Sequence, residues 1–252
     1  MTDAGNRTRH NDAKIVCTLG PASDDEPTVR ALAEAGMSVA RLNASHGSTA
    51  DRRRTIRTVR SVDEATDRPI GIVLDLAGPE VRTARIPEAV PLRTGSTVRF
   101  VPGDVVEDGV IGLTTSLGAT SVGDVVLLDD GRIETTVTEV AGDEVTATVE
   151  AGGTLEGRTS VNAPGVDLGL PPVTDADETE LDLAAEVGVD LVAASFVRTA
   201  EDVLQVSAEL EARGAEIPVI AKIERAEAVE NLHEIIEVAY GVMVARGDLG
   251  VE

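Results

Sequence analysis

Six short runs rich in β-branched residues recur along the 252-residue chain, set apart by stretches with helical spacing and, once, by a long segment with none. That rhythm limits the fold more than any other feature. The runs "KIVCTLG" (14–20), "VARLNAS" (39–45), "PIGIVLDL" (69–76), "VDLVAASF" (189–196), "IPVIAKI" (217–223) and "GVMVARGD" (241–248) read as strands. Helices are expected over 24–35, 48–66, 175–187, 200–213 and 226–238. The first would carry Ser23 as N-cap, Pro27 in its first turn and Gly36 at its end. Strands this apolar, spaced by helices, imply a parallel sheet covered on both faces.

Between the third and fourth strands Val, Thr, Gly and Asp dominate and no helical period appears. Within it "RIETTVTEV" and "EVTATVEA" flank "AGD", the pattern of a β-hairpin. The expected organisation is a barrel domain over 1–82, an inserted all-β lid domain over 83–164 and the continued barrel over 165–252. Without the insertion 170 residues remain, whereas a complete (β/α)8 barrel takes about 200–250. The fold class is therefore α/β, an incomplete (β/α)8 TIM barrel with a small all-β insertion, short of roughly its last two strand–helix units. An open barrel exposes strand edges, so residues 1–252 alone are expected to be aggregation-prone or poorly active.

Hydrophobic residues make up 42% of the chain, enough for a core, and no apolar run approaches the length of a membrane span. The net charge of -23 opposes nucleic-acid binding, which needs basic patches. A polar N-terminus and a single cysteine, Cys17, fit a reducing cytoplasm. Only two lysines occur, Lys14 and Lys222, and Asp and Glu are spread along the whole chain. Dispersed carboxylates with few lysines suggest a salt-adapted surface, whose self-repulsion is screened at high ionic strength.

In barrels of this kind function gathers at the C-terminal ends of the strands. The second strand ends in Arg41, Asn43 and Ser45, two apart and so on one face. A guanidinium suits phosphate, and an amide and a hydroxyl are hard oxygen donors for a small cation. Asp75 ends the third strand, where a cation ligand, a helix cap and an ion-pair partner are all open readings. Lys222 and Glu224 share a face at the end of the fifth, and Asp248 follows Gly247 at the end of the sixth. Two carboxylates at neighbouring strand ends can hold a divalent cation, with a lysine beside them as a point charge. A buried Lys–Glu pair is the structural alternative. His46 sits beside the Arg/Asn/Ser cluster, whereas His233 lies in a helical stretch.

Taken together and in order, "KIVCTLGPAS", "GMSVARLNASHG", "LDLAGPEVRT", "VNAPG", "VAASFVR", "AKIERAEAVENLHEI" and "GVMVARGDLGVE" resemble the pyruvate kinase family. The resemblance implies phosphoryl transfer from phosphoenolpyruvate to ADP, giving pyruvate and ATP, with Mg2+ or Mn2+ and K+ as cofactors. It implies that Lys222 stabilises the phosphoryl group in flight and that Glu224 and Asp248 hold the divalent cation. It implies that Arg41 binds the transferring phosphate and that Gly247, Asp248 and Lys222 seat the substrate. Asn43, Ser45, Asp75 and the Leu76 carbonyl match the monovalent-cation site, and Glu80 the residue that accompanies K+ dependence. Asn43, His46 and Arg82 would lie at the nucleotide. The full-length protein would be a cytoplasmic homotetramer. The chain departs from the family pattern at Ala44, usually aromatic, at Leu76–Ala77, usually Thr-Lys, at Arg225, often Asn, and at Thr159, usually basic. Two alternatives are a metal-dependent pyruvate or phosphoenolpyruvate aldolase or lyase on a similar barrel, and a non-catalytic truncated homologue. For the surface, thermal melting is expected to rise from dilute buffer to molar salt; equal melting in both would contradict salt adaptation.

Overall fold

A computed structural model describes residues 13–66, 69–107 and 109–250. The chain runs β1 (Ile15–Leu19), α1 (Glu26–Ala35), β2 (Met37–Asn43), α2 (Thr49–Glu64) and β3 (Gly71–Asp75). Ten further strands follow: β4 (Val81–Arg82), β5 (Ile86–Leu92), β6 (Thr97–Pro102), β7 (Val106–Glu107), β8 (Val110–Leu113), β9 (Val125–Leu128), β10 (Ile133–Ala141), β11 (Glu144–Ala151), β12 (Gly153–Gly157) and β13 (Ser160–Asn162). Then come α3 (Asp175–Val187), β14 (Leu191–Ala194), α4 (Ala200–Ala212), β15 (Val219–Ile223), α5 (Ala226–Glu230), α6 (Leu232–Val238), β16 (Gly241–Val244) and α7 (Arg246–Leu249).

Six of the strands form one parallel sheet in the order β1-β2-β3-β14-β15-β16. Spatial neighbours are also neighbours in the βα series, the arrangement of a barrel wall. Burial is deepest in the middle of the wall, where Ile72, Leu74, Val192 and Ala221 are inaccessible to solvent and pack against Val29, Ile56, Val59, Leu181 and Val203 from the helices. The outer strands differ. Ile15 and Val16 on β1, and Val242 and Val244 on β16, are exposed.

The inserted strands make a second sheet, β4-β13-β9-β10-β11-β6-β8-β7, and a two-stranded ribbon, β12-β5. They enclose their own core around Phe100, Ile111, Leu128, Ile133 and Leu155. The expected hairpin is β10–β11, where Ala141 pairs with Glu144 and Gly142 takes a positive φ of 65° in the two-residue turn.

Three local expectations are corrected. The N-cap of α1 is Asp25, not Ser23. Asp25 stands directly before the helix and its carboxylate accepts from Thr28 N at 3.1 Å, whereas Ser23, two residues earlier, closes a turn with Gly20. The helix expected over 226–238 is two helices meeting at Asn231, whose Nδ2 donates to the Arg198 carbonyl at 3.0 Å. The sixth strand stops at Val244, and Gly247 and Asp248 lie in the short α7.

The cap of α3 reaches the barrel mouth. Thr174 and Asp177 form a reciprocal capping box, and the other oxygen of Asp177 accepts from Gly78 N at 3.1 Å, just beyond β3. Thr174→Ala is expected to lower the stability of the fold by about 1 kcal/mol, with Thr174→Ser restoring most of it, as read from denaturant midpoints.

Candidate active site

Toward the C-terminal ends of β2, β3 and β15 four charged side chains meet. Asp75 is fully buried (0% exposed), Glu224 is 1% exposed and Lys222 8%. Such burial is rare unless the charges pair. Arg41 donates through Nε to Asp75 Oδ2 at 2.7 Å, adds a second close contact through Nη2, and reaches Thr18 Oγ1 through Nη1 at 2.9 Å. Lys222 Nζ lies 3.2 Å from Asp75 Oδ1 and 2.8 Å from Glu224 Oε1. Two cations and two carboxylates thus form a neutral cluster inside the mouth.

The strand period brings Lys222 and Glu224 together, as the sequence spacing implies. What the sequence reading missed is the group between them and the wall. Lys222 Nζ donates to Ser195 Oγ at 2.7 Å, and Ser195 Oγ donates to the Leu76 carbonyl at 2.6 Å. The next residue, Phe196, has a positive φ of 54° and donates its backbone N–H to Glu224 Oε2 at 2.8 Å. A left-handed φ on a bulky residue stores strain, and here it aims an N–H at a buried carboxylate. Thr18, which completes Arg41's contacts, was missed too. Both hydroxyls lie at or near strand C-terminal ends, the one signal that points to them.

The remaining candidates lie around this cluster rather than in it. Asn43 Oδ1 accepts from Ser45 N at 2.9 Å, so both are engaged in their own turn. His46 is exposed, and its carbonyl accepts from Arg52 Nη1 at 2.6 Å. Arg52 itself is buried against Glu180 by two hydrogen bonds of 2.7 and 2.6 Å, joining α2 to α3. Arg82 forms a forked pair with Glu80 at 2.7 and 2.9 Å. Gly247 and Asp248 are exposed. Asp248 lines a cleft between mouth and insertion with Glu80, Asp130, Ser160, Asn162 and Arg225.

The donor set suits a small divalent cation. Burial pushes the Glu224 carboxyl above the usual carboxylate range; Lys222 and the Phe196 N–H oppose that rise, and the charge of Asp248 adds to it. Glu224 Oε1 lies 2.8 Å from Lys222 Nζ but off the favoured hydrogen-bond angle, and no other group among the described residues satisfies it. A buried oxygen held only by a poorly aligned ammonium, with a second carboxylate near enough to perturb it, is what a cation would satisfy. Among the described residues no cluster of three or more His, Cys, Asp and Glu is arranged for a metal. Mg2+ is commonly held by one or two carboxylates and completed by substrate and water, and Glu224 with Asp248 supplies that number. The set Asn43, Ser45, Asp75 and Leu76 offers hard oxygens, but both Asp75 oxygens face Arg41 and Lys222, and the Leu76 carbonyl already accepts from Ser195.

A parallel βα wall whose charged groups converge at its C-terminal mouth, with an all-β insertion after the third strand, defines a protein of the (β/α) barrel class with a charged mouth. The chain belongs to the pyruvate kinase family: the family model described as "Pyruvate kinase, barrel domain" matches residues 10–252. It is 42% identical over 243 residues to a pyruvate kinase of Mycobacterium intracellulare, covering 95% of this chain and 52% of that protein. It is 44% identical over 246 residues to a pyruvate kinase of Geobacillus stearothermophilus, covering 95% of this chain and 42% of that protein. The chain thus spans about half the length of the curated relatives it matches.

Proposed function

We propose that the protein carrying this chain transfers the phosphoryl group of phosphoenolpyruvate to ADP. The observation that carries the reading is the interior lysine: in a chain with two lysines, Lys222 is held at the mouth 2.8 Å from Glu224 Oε1 and within the same cluster as Arg41. Phosphoryl transfer needs charge neutralisation and alignment more than covalent help, and the residues present suit that division of labour.

In this reading Arg41 takes the transferring phosphate through the bidentate fork that guanidinium offers. Lys222 supplies a compact positive charge to the phosphoryl oxygens and to the enolate oxygen left behind. Glu224 and Asp248 hold Mg2+ or Mn2+, and Gly247 and Asp248 help to seat the substrate. When bound, that cation would neutralise the carboxylate and enolate oxygens of the substrate. Asn43, Ser45, Asp75 and the Leu76 carbonyl would hold K+, which requires Arg41 and Lys222 to share Asp75 with it. Glu80, the residue that goes with K+ dependence, orients Arg82 through its forked pair, and Arg82, His46 and Asn43 face ADP. The inserted domain closes over the mouth and keeps water from the phosphoryl donor. Cytoplasmic location and a homotetramer are read from the family resemblance.

The test is Lys222→Met in the full-length protein. It is expected to lower turnover by at least about a thousandfold, the scale of losing a charge that acts in the transition state. Divalent-cation affinity, followed by Mn2+ paramagnetic resonance, is expected to stay within a few-fold. Unchanged turnover would refute the role of Lys222.

A further inference from the structure

We propose that Ser195 is the positioning residue of Lys222: its hydroxyl, fixed by the Leu76 carbonyl, sets where the ammonium sits. The inference rests on the phosphoryl-transfer reading for its consequence in turnover, but not for the geometry.

An ammonium has three hydrogens and no acceptor, and Lys222 Nζ has three near oxygens: Ser195 Oγ at 2.7 Å, Glu224 Oε1 at 2.8 Å and Asp75 Oδ1 at 3.2 Å. The three are not equivalent. The Glu224 contact is short but poorly aligned for a hydrogen bond. The Asp75 contact is the longest, and that carboxylate is shared with Arg41. Both carboxylates are also the expected ligands of cations, so each has a second claimant. Ser195 is neutral, makes the shortest contact and has no such claim on it.

The direction of its hydrogen bond is fixed as well. Ser195 Oγ can give its one proton to Leu76 O at 2.6 Å or to Asp75 Oδ1 at 3.5 Å, and the shorter contact prevails. Either choice turns a lone pair toward Lys222, which can only donate.

The backbone around Ser195 is locked. It is 4% exposed and followed by Phe196 at a positive φ of 54°. Gly78 packs directly upon it: a methyl group on Gly78 would lie 2.8 Å from Ser195 Cβ and 3.0 Å from its carbonyl oxygen. Gly78 is held in turn by Asp177 at 3.1 Å. One dipeptide thus touches both members of the charged pair, Lys222 through the Ser195 hydroxyl and Glu224 through the Phe196 N–H at 2.8 Å.

Ser195→Ala removes the hydroxyl with little change of volume. In the full-length protein kcat is expected to fall about ten- to a hundredfold, the loss that follows misplacement of a reacting group, with KM for ADP within about twofold of the original. Placed in Lys222→Met, the same substitution is expected to change turnover no further, because it acts through Lys222. A second readout does not use turnover. In protein labelled with 15N-lysine, the Lys222 ammonium signal, assigned by its loss in Lys222→Met, is expected to shift and broaden in Ser195→Ala while Lys14 stays put. An unchanged Lys222 signal, or an equal further loss in the Lys222→Met background, would overturn the proposal. Should Lys222→Met itself keep full turnover, the phosphoryl-transfer role fails, and the ammonium signal alone then decides for or against Ser195.

Discussion

Asp75 sits at the end of β3, buried in all but its first residue, and is fully inaccessible, yet it is shared by two cations, Arg41 and Lys222. At an effective dielectric near 20, each charge contact at about 3–4 Å gains roughly 4–5 kcal/mol. Taking each ion from water costs several kcal/mol. Those terms nearly offset one another, so the cluster adds little to net stability compared with an apolar core of equal volume. Its effect is positional. It fixes two cationic side chains from different strands to one carboxylate, and so sets where positive charge is presented at the mouth.

The surrounding structure supports that point from several sides. The left-handed Phe196 aims an N–H at Glu224, Gly78 gives Ser195 room beside it, and Asp177 joins the β3 turn to the cap of α3. A second buried pair, Arg52–Glu180, ties α2 to α3 and holds the His46 carbonyl. Ala44 and Ala77 line a cleft of about 360 Å³ beside that pair. Arginine rather than lysine makes most of the pairs at the helices: Arg53 meets Glu186, Arg60 meets Asp190 and Arg213 meets Asp182. In so acidic a chain the planar fork is suited to such pairs. Lys222 stands in the opposite situation, a crowded spot where a compact head fits.

The barrel strands were legible because each is an apolar run with turn residues beyond it, and the β10–β11 hairpin because Gly-Asp interrupts two alternating runs. The meeting of Lys222 with Glu224 followed from the two-residue period. Local competition hid the α1 cap, since Ser23 and Asp25 are both good capping residues and only the exact helix start chooses between them. The break at Asn231 depends on a carbonyl 33 residues away. Ser195 and Thr18 are harder to read because their partners are 27 and 23 residues distant and their place near strand C-terminal ends is the one local signal. Asp248 was read as a strand end, but the chain turns into α7 after Val244, and so it faces the cleft from a helical turn.

Asp75 is the anchor to which both cations are held. Chemical denaturation of Asp75→Asn tests that role most directly. Removing one partner of a buried pair leaves uncompensated charge, so the stability should fall by about 3–5 kcal/mol. Adding Arg41→Met and Lys222→Met to Asp75→Asn should return most of that loss. An Asp75→Asn protein as stable as the original, or a loss the added substitutions do not reduce, would contradict the account.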